Sequence, residues 1–200
     1  NKFFTFIPPK QVYESKKNII EKIQDRLEAN VKSRLVADVP VGVFLSGGID
    51  SSLITAISKR QKNSIQTFTI GFQNQSYDES PYAEKIAEHL KTNHHTLYIR
   101  EEDVLARILD LHKIIDEPFG DTSIIPTSFL CEFAQKKVKV ALTGDGGDEL
   151  FGGYSRYIIG SNISKLWSLL PNSARQGCIG IDKFLFSNRN DLVPRLVKTS

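Results

Sequence analysis

Residues 39–52, with the sequence VPVGVFLSGGIDSS, constrain the fold more than any other stretch of the chain. The apolar run that opens this stretch is too short to be a helix on its own, and it ends in a turn of serine and glycine. A helical pattern of apolar residues follows directly. The order of strand, tight turn and helix is typical of the repeating unit of an α/β fold.

The turn between this strand and this helix has the chemistry of an anion site. The first N–H groups of a helix have no partners within the helix, and they lie at the positive end of its dipole. Gly47 and Gly48 let the backbone come close to an anion, and the hydroxyls of Ser46, Ser51 and Ser52 can donate hydrogen bonds to it. The stretch therefore predicts a phosphate-binding loop.

The residues present exclude two other phosphate loops and one catalytic turn. A Walker A loop fails because Gly48 and Ile49 stand where its lysine and its hydroxyl residue belong. The glycine fingerprint of dinucleotide sites is absent, and Phe44 stands where a nucleophile elbow needs glycine. The remaining pattern, Ser-Gly-Gly-x-Asp-Ser, resembles the pyrophosphate-binding loop of ATP pyrophosphatases. Those enzymes cleave ATP between its α and β phosphates and adenylate a substrate.

The rest of the chain repeats the alternation of strands and helices. Apolar periodicity predicts a helix over about 12–37, a second with Ser80 as the cap before Pro81, and a third from Glu101 with Leu105, Ile108, Leu109 and Ile115 facing inward. A further helix is predicted around 129–133, and strands are predicted over 39–45, 66–72, 94–99 and 138–142. Strands separated by helices predict an α/β fold with a parallel sheet covered by helices on both faces. Ligands are then expected at the carboxyl ends of the strands.

A second loop, residues 143–154 with the sequence TGDGGDELFGGY, follows the last of these strands. Its three carboxylates, Asp145, Asp148 and Glu149, would repel a bare polyphosphate, so a cation is expected between them. Mg²⁺ binds through one or two carboxylates together with phosphate oxygens, and we predict Asp50 and Asp148 as its ligands. The alternating acidic pattern of a calcium loop is absent, and the adjacent pair His94-His95 lacks the spacing of a metal motif.

The two loops, together with residues 34–40 and 116–126, resemble the synthetase domain of the glutamine-dependent (class B) asparagine synthetase family. The resemblance covers residues 12–160 and implies a Rossmann-like adenine nucleotide alpha hydrolase (ATP pyrophosphatase) fold. It also implies a reaction in two steps. A carboxylate attacks the α-phosphorus of ATP and releases pyrophosphate, and ammonia from glutamine then displaces AMP to form an amide. ATP and Mg²⁺ are the implied cofactors.

The resemblance also assigns roles to individual residues. It implies nucleotide contacts for Leu45, Ile70, Thr143 and Gly144, and pyrophosphate contacts for Ser46, Gly47, Gly48, Asp50 and Ser51. Asp145 stands where many members have glutamate and is the implied catalytic residue of the ammonia step. Residues 122–125 lack the arginine with which some members hold the substrate, so the acceptor is either aspartate or another carboxylate such as a sugar acid.

Domain organisation and setting follow from composition and from the resemblance. We expect residues 1–11 to be a linker from a preceding domain and 161–200 to be the helical start of a further part, with a catalytic lysine beyond Ser200. The net charge of +3 is small, and no apolar run is long enough for a bilayer, so neither nucleic acid nor membrane is an expected partner. We expect a cytoplasmic protein that receives ammonia from a glutaminase domain. We expect these residues alone to be inactive, and a homodimer is left open.

Two other classes of function remain open. A non-catalytic nucleotide-binding module would keep the first loop, but it has little need of a second acidic loop. Another pyrophosphatase, such as a tRNA-thiolating or NAD-forming enzyme, would also keep the first loop, but it would not predict the second loop or the Asp-Glu-Pro-Phe segment at 116–119.

Overall fold

The computed structural model describes residues 13–73, 78–117 and 120–171. Its elements are α1 (Lys16–Arg34), β1 (Val41–Phe44), α2 (Ile49–Gln61), β2 (Gln66–Phe72), α3 (Ser80–Leu90), β3 (Asn93–Ile99), α4 (Glu101–Asp110), a 3₁₀ turn (Leu111–Lys113), α5 (Ile124–Ala134), β4 (Val140–Leu142), α6 (Gly147–Phe151) and α7 (Ser155–Leu169). The chain forms two compact units that divide between Asp145 and Gly146. The linker expected at 1–11 and the part of 161–200 after residue 171 lie outside the described residues.

The first unit is built on a parallel sheet of four strands in the order β3-β2-β1-β4. Val43 at the centre of β1 pairs with Thr67 on β2 and with Leu142 on β4. Because all four strands run in the same direction, their carboxyl ends meet at one edge, where the turn after β1 and the loop after β4 begin. The predicted parallel α/β sheet is confirmed.

Helices cover both faces of this sheet. Val41 and Val43, whose side chains alternate with Phe44, pack in one buried cluster with residues of α1 and α2. On the opposite face, Phe68 is fully buried and packs with Ala134 of α5. This two-faced arrangement is what the near-continuous apolar strands predicted.

The prediction for α4 is wrong in one respect. Leu105, Ile108 and Leu109, expected to face the core, are 65%, 46% and 77% exposed. The helix ends at Asp110 and continues as a 3₁₀ turn instead of running on as one helix. The apolar periodicity is present, but the described residues contribute too little surface above α4 to bury it.

The second unit contributes two helices among the described residues, the short α6 and the longer α7. Glycines in the left-handed conformation flank α6, with φ of +90° at Gly146 and +69° at Gly152. These angles explain why the sequence places glycine on both sides of the acidic turn. In the part of the chain that the structure describes, none of the helices has the length and apolar character to span a bilayer.

Candidate nucleotide site

The first loop lies at the carboxyl end of β1, between that strand and α2. Gly47 has a φ of +87°, a conformation that favours glycine. Gly48 is the cap residue of α2, and no side chain caps the first turn of this helix. The N–H groups at the start of α2 therefore remain available to an anion, as the sequence predicted for a phosphate loop.

Three serine hydroxyls hold the shape of this loop from within. Ser51 Oγ donates to the carbonyl of Gly48 at 3.2 Å, and Ser52 Oγ donates to the same carbonyl at 2.6 Å. Ser46 Oγ lies 3.0 Å from Ser51 Oγ and accepts a hydrogen bond from the N–H of Gly48. In this structure the hydroxyl protons are thus used inside the loop, as are the N–H groups of Ser46 and Gly48. The first turn of α2 itself receives no side-chain cap.

The second loop meets the first at Gly144. A Cβ atom built on Gly144 would lie 2.7 Å from the backbone nitrogen of Ser51 and 3.0 Å from the carbonyl carbon of Asp50. These distances are too short for any real side chain, so only glycine lets the chain after β4 touch the first turn of α2. Gly144 and the sequence-predicted residues Asp50 and Ser51 therefore lie together at the edge of the sheet.

Asp145 follows this contact, and Thr143 holds its side chain. The Thr143 hydroxyl donates to Asp145 Oδ2 at 2.8 Å, and Thr143 Oγ1 accepts the N–H of Asp145 at 3.4 Å. Both residues are exposed. The carboxylate that the sequence singled out for catalysis is thus oriented by its neighbour and remains open to solvent.

The two apolar residues predicted to contact the nucleotide, Leu45 and Ile70, differ in how far their side chains are buried. The Leu45 side chain is 1% exposed, and its N–H donates to the carbonyl of Phe68 at 2.9 Å. Leu45 can therefore offer a ligand only its carbonyl group. Ile70 is half-buried, two residues before the end of β2, and its side chain is free to form an apolar wall.

The remaining acidic residues belong to α6 in the second unit. Asp148 is half-buried, and its carboxylate lies where a Cβ atom of Gly153 would be. Glu149 Oε1 accepts the Tyr154 hydroxyl at 2.7 Å. This hydrogen bond lowers the pKa of Glu149 and raises the pKa of Tyr154. Glu149 is therefore a partner of Tyr154, whereas Asp148 stays the predicted metal ligand of this loop.

Sequence comparison identifies the family to which the chain belongs. The model of the family described as asparagine synthase matches residues 22–199. The chain belongs to the asparagine synthase family.

Curated relatives of this family match most of the chain. A putative asparagine synthetase [glutamine-hydrolyzing] 2 of Methanocaldococcus jannaschii is 44% identical over 153 residues, which cover 76% of this chain and 29% of the relative. Asparagine synthetase [glutamine-hydrolyzing] 1 of Bacillus subtilis is 38% identical over 149 residues, covering 74% of this chain and 23% of the relative. The chain thus spans less than a third of the length of these relatives.

A solved structure supports the fold independently of sequence. A glutamine-dependent NAD+ synthetase from Acinetobacter baumannii, in complex with adenosine diphosphate, matches with a TM-score of 0.50 at 20% identity. The match covers 74% of this chain and 29% of that chain. The family member described here therefore has the adenine nucleotide alpha hydrolase fold that the sequence predicted.

A cavity of about 610 Å³ lies elsewhere in the first unit, between α4, α5 and the β1–β4 side of the sheet. Arg107 at its wall pairs with Glu132 and stacks 4.1 Å from the centre of the Phe129 ring. None of the predicted site residues lines this cavity. We therefore place the candidate site of this asparagine synthase family member at the loops and not in the cavity.

Sequence reasoning missed the contribution of α3 to the site. The first turn of α3 lies against Gly47, with Tyr82 as its nearest side chain. Ser80, predicted as the cap of this helix, is its first residue instead and is fully buried. The cap residue is Glu79, whose side chain makes no capping hydrogen bond, and Asp78 just before it accepts the N–H of Ser80. The Ser-Pro pair signalled the start of this helix, but no sequence pattern indicated its contact with Gly47.

Proposed function

We propose that this chain forms the ATP-pyrophosphatase part of an amide-forming ligase. A carboxylate oxygen of the substrate attacks the α-phosphorus of ATP, the bond to the β-phosphate bridge breaks, and pyrophosphate leaves. Ammonia then attacks the acyl carbon, AMP departs, and an amide remains. The names of the curated relatives support glutamine as the source of ammonia, released by a glutaminase domain. A cytoplasmic location, where ATP is supplied, belongs to the same proposal.

The contact between Gly144 and the first turn of α2 carries this proposal. A loop that only bound phosphate would need the start of α2 and nothing more. Here a second glycine-rich loop reaches the same turn and presents the Asp145 carboxylate directly after it. A phosphate site with a positioned carboxylate beside it suits a reaction in which an intermediate forms on the nucleotide.

Asp145 is the proposed catalytic residue of the amide-forming step. Its carboxylate can accept a proton from the attacking ammonia, and its hydrogen bond from Thr143 fixes the orientation for this transfer. Aspartate is one methylene shorter than glutamate. We therefore expect the substrate's acyl carbon to lie closer to the loop than in members that carry glutamate.

The proposed magnesium ligand of the first unit is Asp50. Its carboxylate lies in the first turn of α2 and is half-buried beside the loop. Among the described residues, no group of three or more His, Cys, Asp or Glu side chains could enclose a metal ion. A single half-buried carboxylate beside a phosphate loop fits Mg²⁺, which uses one or two carboxylates and takes its other ligands from phosphate and water. The ion would neutralise phosphate charge.

The test is carboxylate-dependent exchange of labelled pyrophosphate into ATP by the full-length protein. A panel that includes aspartate and several sugar acids should reveal one acid that supports exchange. Exchange with aspartate would assign asparagine as the product, and exchange with a sugar acid would assign the alternative amidotransferase. If no acid supports exchange although ATP binds, the proposal fails in favour of a nucleotide-binding module.

A further inference from the structure

Asp78 ties the end of β2 to the start of α3 with a single carboxylate oxygen. Its Oδ1 accepts the N–H of Phe72 at 3.2 Å and the N–H of Ser80 at 3.1 Å. Burial opposes ionisation of this carboxyl group, but the hydrogen bonds from Ser80 and Phe72 outweigh it and hold the pKa of Asp78 below its usual value. At neutral pH the tie is therefore made by a charged acceptor, which is the stronger kind.

The turn of α3 that Asp78 holds lies directly against the phosphate loop. A Cβ atom on Gly47 would be 2.7 Å from Tyr82 Cβ and 2.9 Å from the backbone nitrogen of Ala83. Ala83 is fully buried and packs with Leu45, the residue just before the loop. A shift of this turn would therefore be transmitted to Gly47 by direct backbone contact.

We propose that Asp78 is a positioning residue for the phosphate loop. It fixes α3 to β2, the first turn of α3 fixes Gly47, and the loop then presents the N–H groups at the start of α2. Asp78 acts through α3 and not by touching the nucleotide. The identity of the loop's ligand rests on the proposed function, whereas the positioning of the loop does not.

The chain offers a matched control for this residue. Asp103 Oδ2 accepts the N–H of Arg100 at 3.1 Å at the start of α4, so this carboxylate also caps a helix. Its other described hydrogen bonds go to the Arg100 side chain. Replacing Asp103 thus removes a carboxylate that accepts a backbone N–H at a helix start, without touching α3 or the loop.

The first measurement is amide hydrogen exchange of the full-length protein without ligand. Asp78→Ala should raise the exchange rates of the Ser46 and Gly48 amides, which are hydrogen-bonded inside the loop, by about tenfold, while Asp103→Ala leaves them unchanged. Asp78→Asn keeps an acceptor oxygen and should stay close to the wild type. Asp78→Glu displaces the acceptor and should also raise the rates, and it replaces the alanine variant if that variant does not fold. Equal rates in the Asp78 and Asp103 variants would overturn the proposal.

The second measurement is titration with magnesium pyrophosphate. Asp78→Ala should weaken the affinity by about tenfold, at a melting temperature similar to that of Asp103→Ala. Faster loop exchange with an unchanged affinity would also contradict a positioning role. If the wild type binds no pyrophosphate, the proposed function fails, and the exchange rates alone then decide the role of Asp78.

Discussion

Single residues determine how closely the two loops of this site approach each other. Gly144 has no side chain to separate the chain after β4 from Ser51, and Gly47 has none to separate the first loop from Tyr82. Both positions exclude a Cβ atom for steric reasons, and Gly47 also for its φ of +87°. At both positions, glycine matters because it lets two backbones come close together, more than because it is flexible.

We expect Gly144→Ala to weaken ATP binding and to lower the free energy of unfolding by about 1–3 kcal/mol, because its Cβ would overlap the backbone at Ser51. Calorimetric titration with ATP and urea denaturation measure the two effects. Gly120→Ala is the control, since a Cβ on Gly120 would have nothing within 4 Å. Wild-type affinity in Gly144→Ala would show that the contact between the loops is not needed for binding.

We expect Asp50→Asn to weaken the binding of ATP by at least about tenfold in the presence of Mg²⁺, because the substitution removes the charge of the proposed metal ligand. In EDTA, the wild type and the variant should bind ATP with similar, weaker affinity. Asp25→Asn on the exposed side of α1 is the control. A variant that responds to Mg²⁺ as the wild type does would rule Asp50 out as a ligand.

At the scale of elements, β3 carries His94, a half-buried member of the histidine pair that lacks the spacing of a metal motif. His94 Nδ1 lies 2.9 Å from Thr67 Oγ1, and the buried Nε2 has no hydrogen-bond partner among the described residues. Burial lowers the pKa of His94 below 6.5, and the nearby charge of Glu84 only partly opposes this shift. The folded chain therefore favours the neutral imidazole.

Linkage gives the sign of the resulting pH dependence. Because the folded pKa of His94 is lowered, its contribution to stability is complete above the ordinary pKa of 6.5 and is lost as the pH falls through 6.5 toward the folded value. We expect His94→Gln to reduce this loss between pH 7 and 5, measured by urea denaturation. His112→Gln, at an exposed position, should keep the wild-type slope. An equal slope in all three proteins would contradict the assignment.

At the scale of the whole molecule, the sheet of the first unit depends on a small number of large buried side chains. Phe68 is fully buried, and its ring meets that of Phe133 edge-on at 5.9 Å. We expect Phe68→Ala to lower the free energy of unfolding by about 3–5 kcal/mol, measured in urea. Leu105→Ala, at a position 65% exposed, should change it little. Comparable losses in both variants would mean that α4 is covered in solution.

Much of the fold could be predicted from the sequence, because the apolar periodicity and the glycine-rich turns indicated the same order of strands and helices. The apolar strands, the helices between them and the glycines at 47 and 144 all predicted one parallel sheet with a site at its edge, and the sheet is confirmed. The order β3-β2-β1-β4 was not predictable, because strand neighbours depend on contacts between distant residues. The exposure of α4 was missed for a similar reason, since periodicity shows which face is apolar but not what covers it.

Ser15 caps α1 with its hydroxyl, whereas α2 begins at Gly48 without such a cap. An anion at this position would take the place of the missing cap at the start of α2. The free energy of binding the anion would then add to the free energy of unfolding of the protein. At a ligand concentration of about 100 times its dissociation constant, the native state would gain about 2.7 kcal/mol. A cell rich in the nucleotide would thereby keep this protein folded as well as occupied.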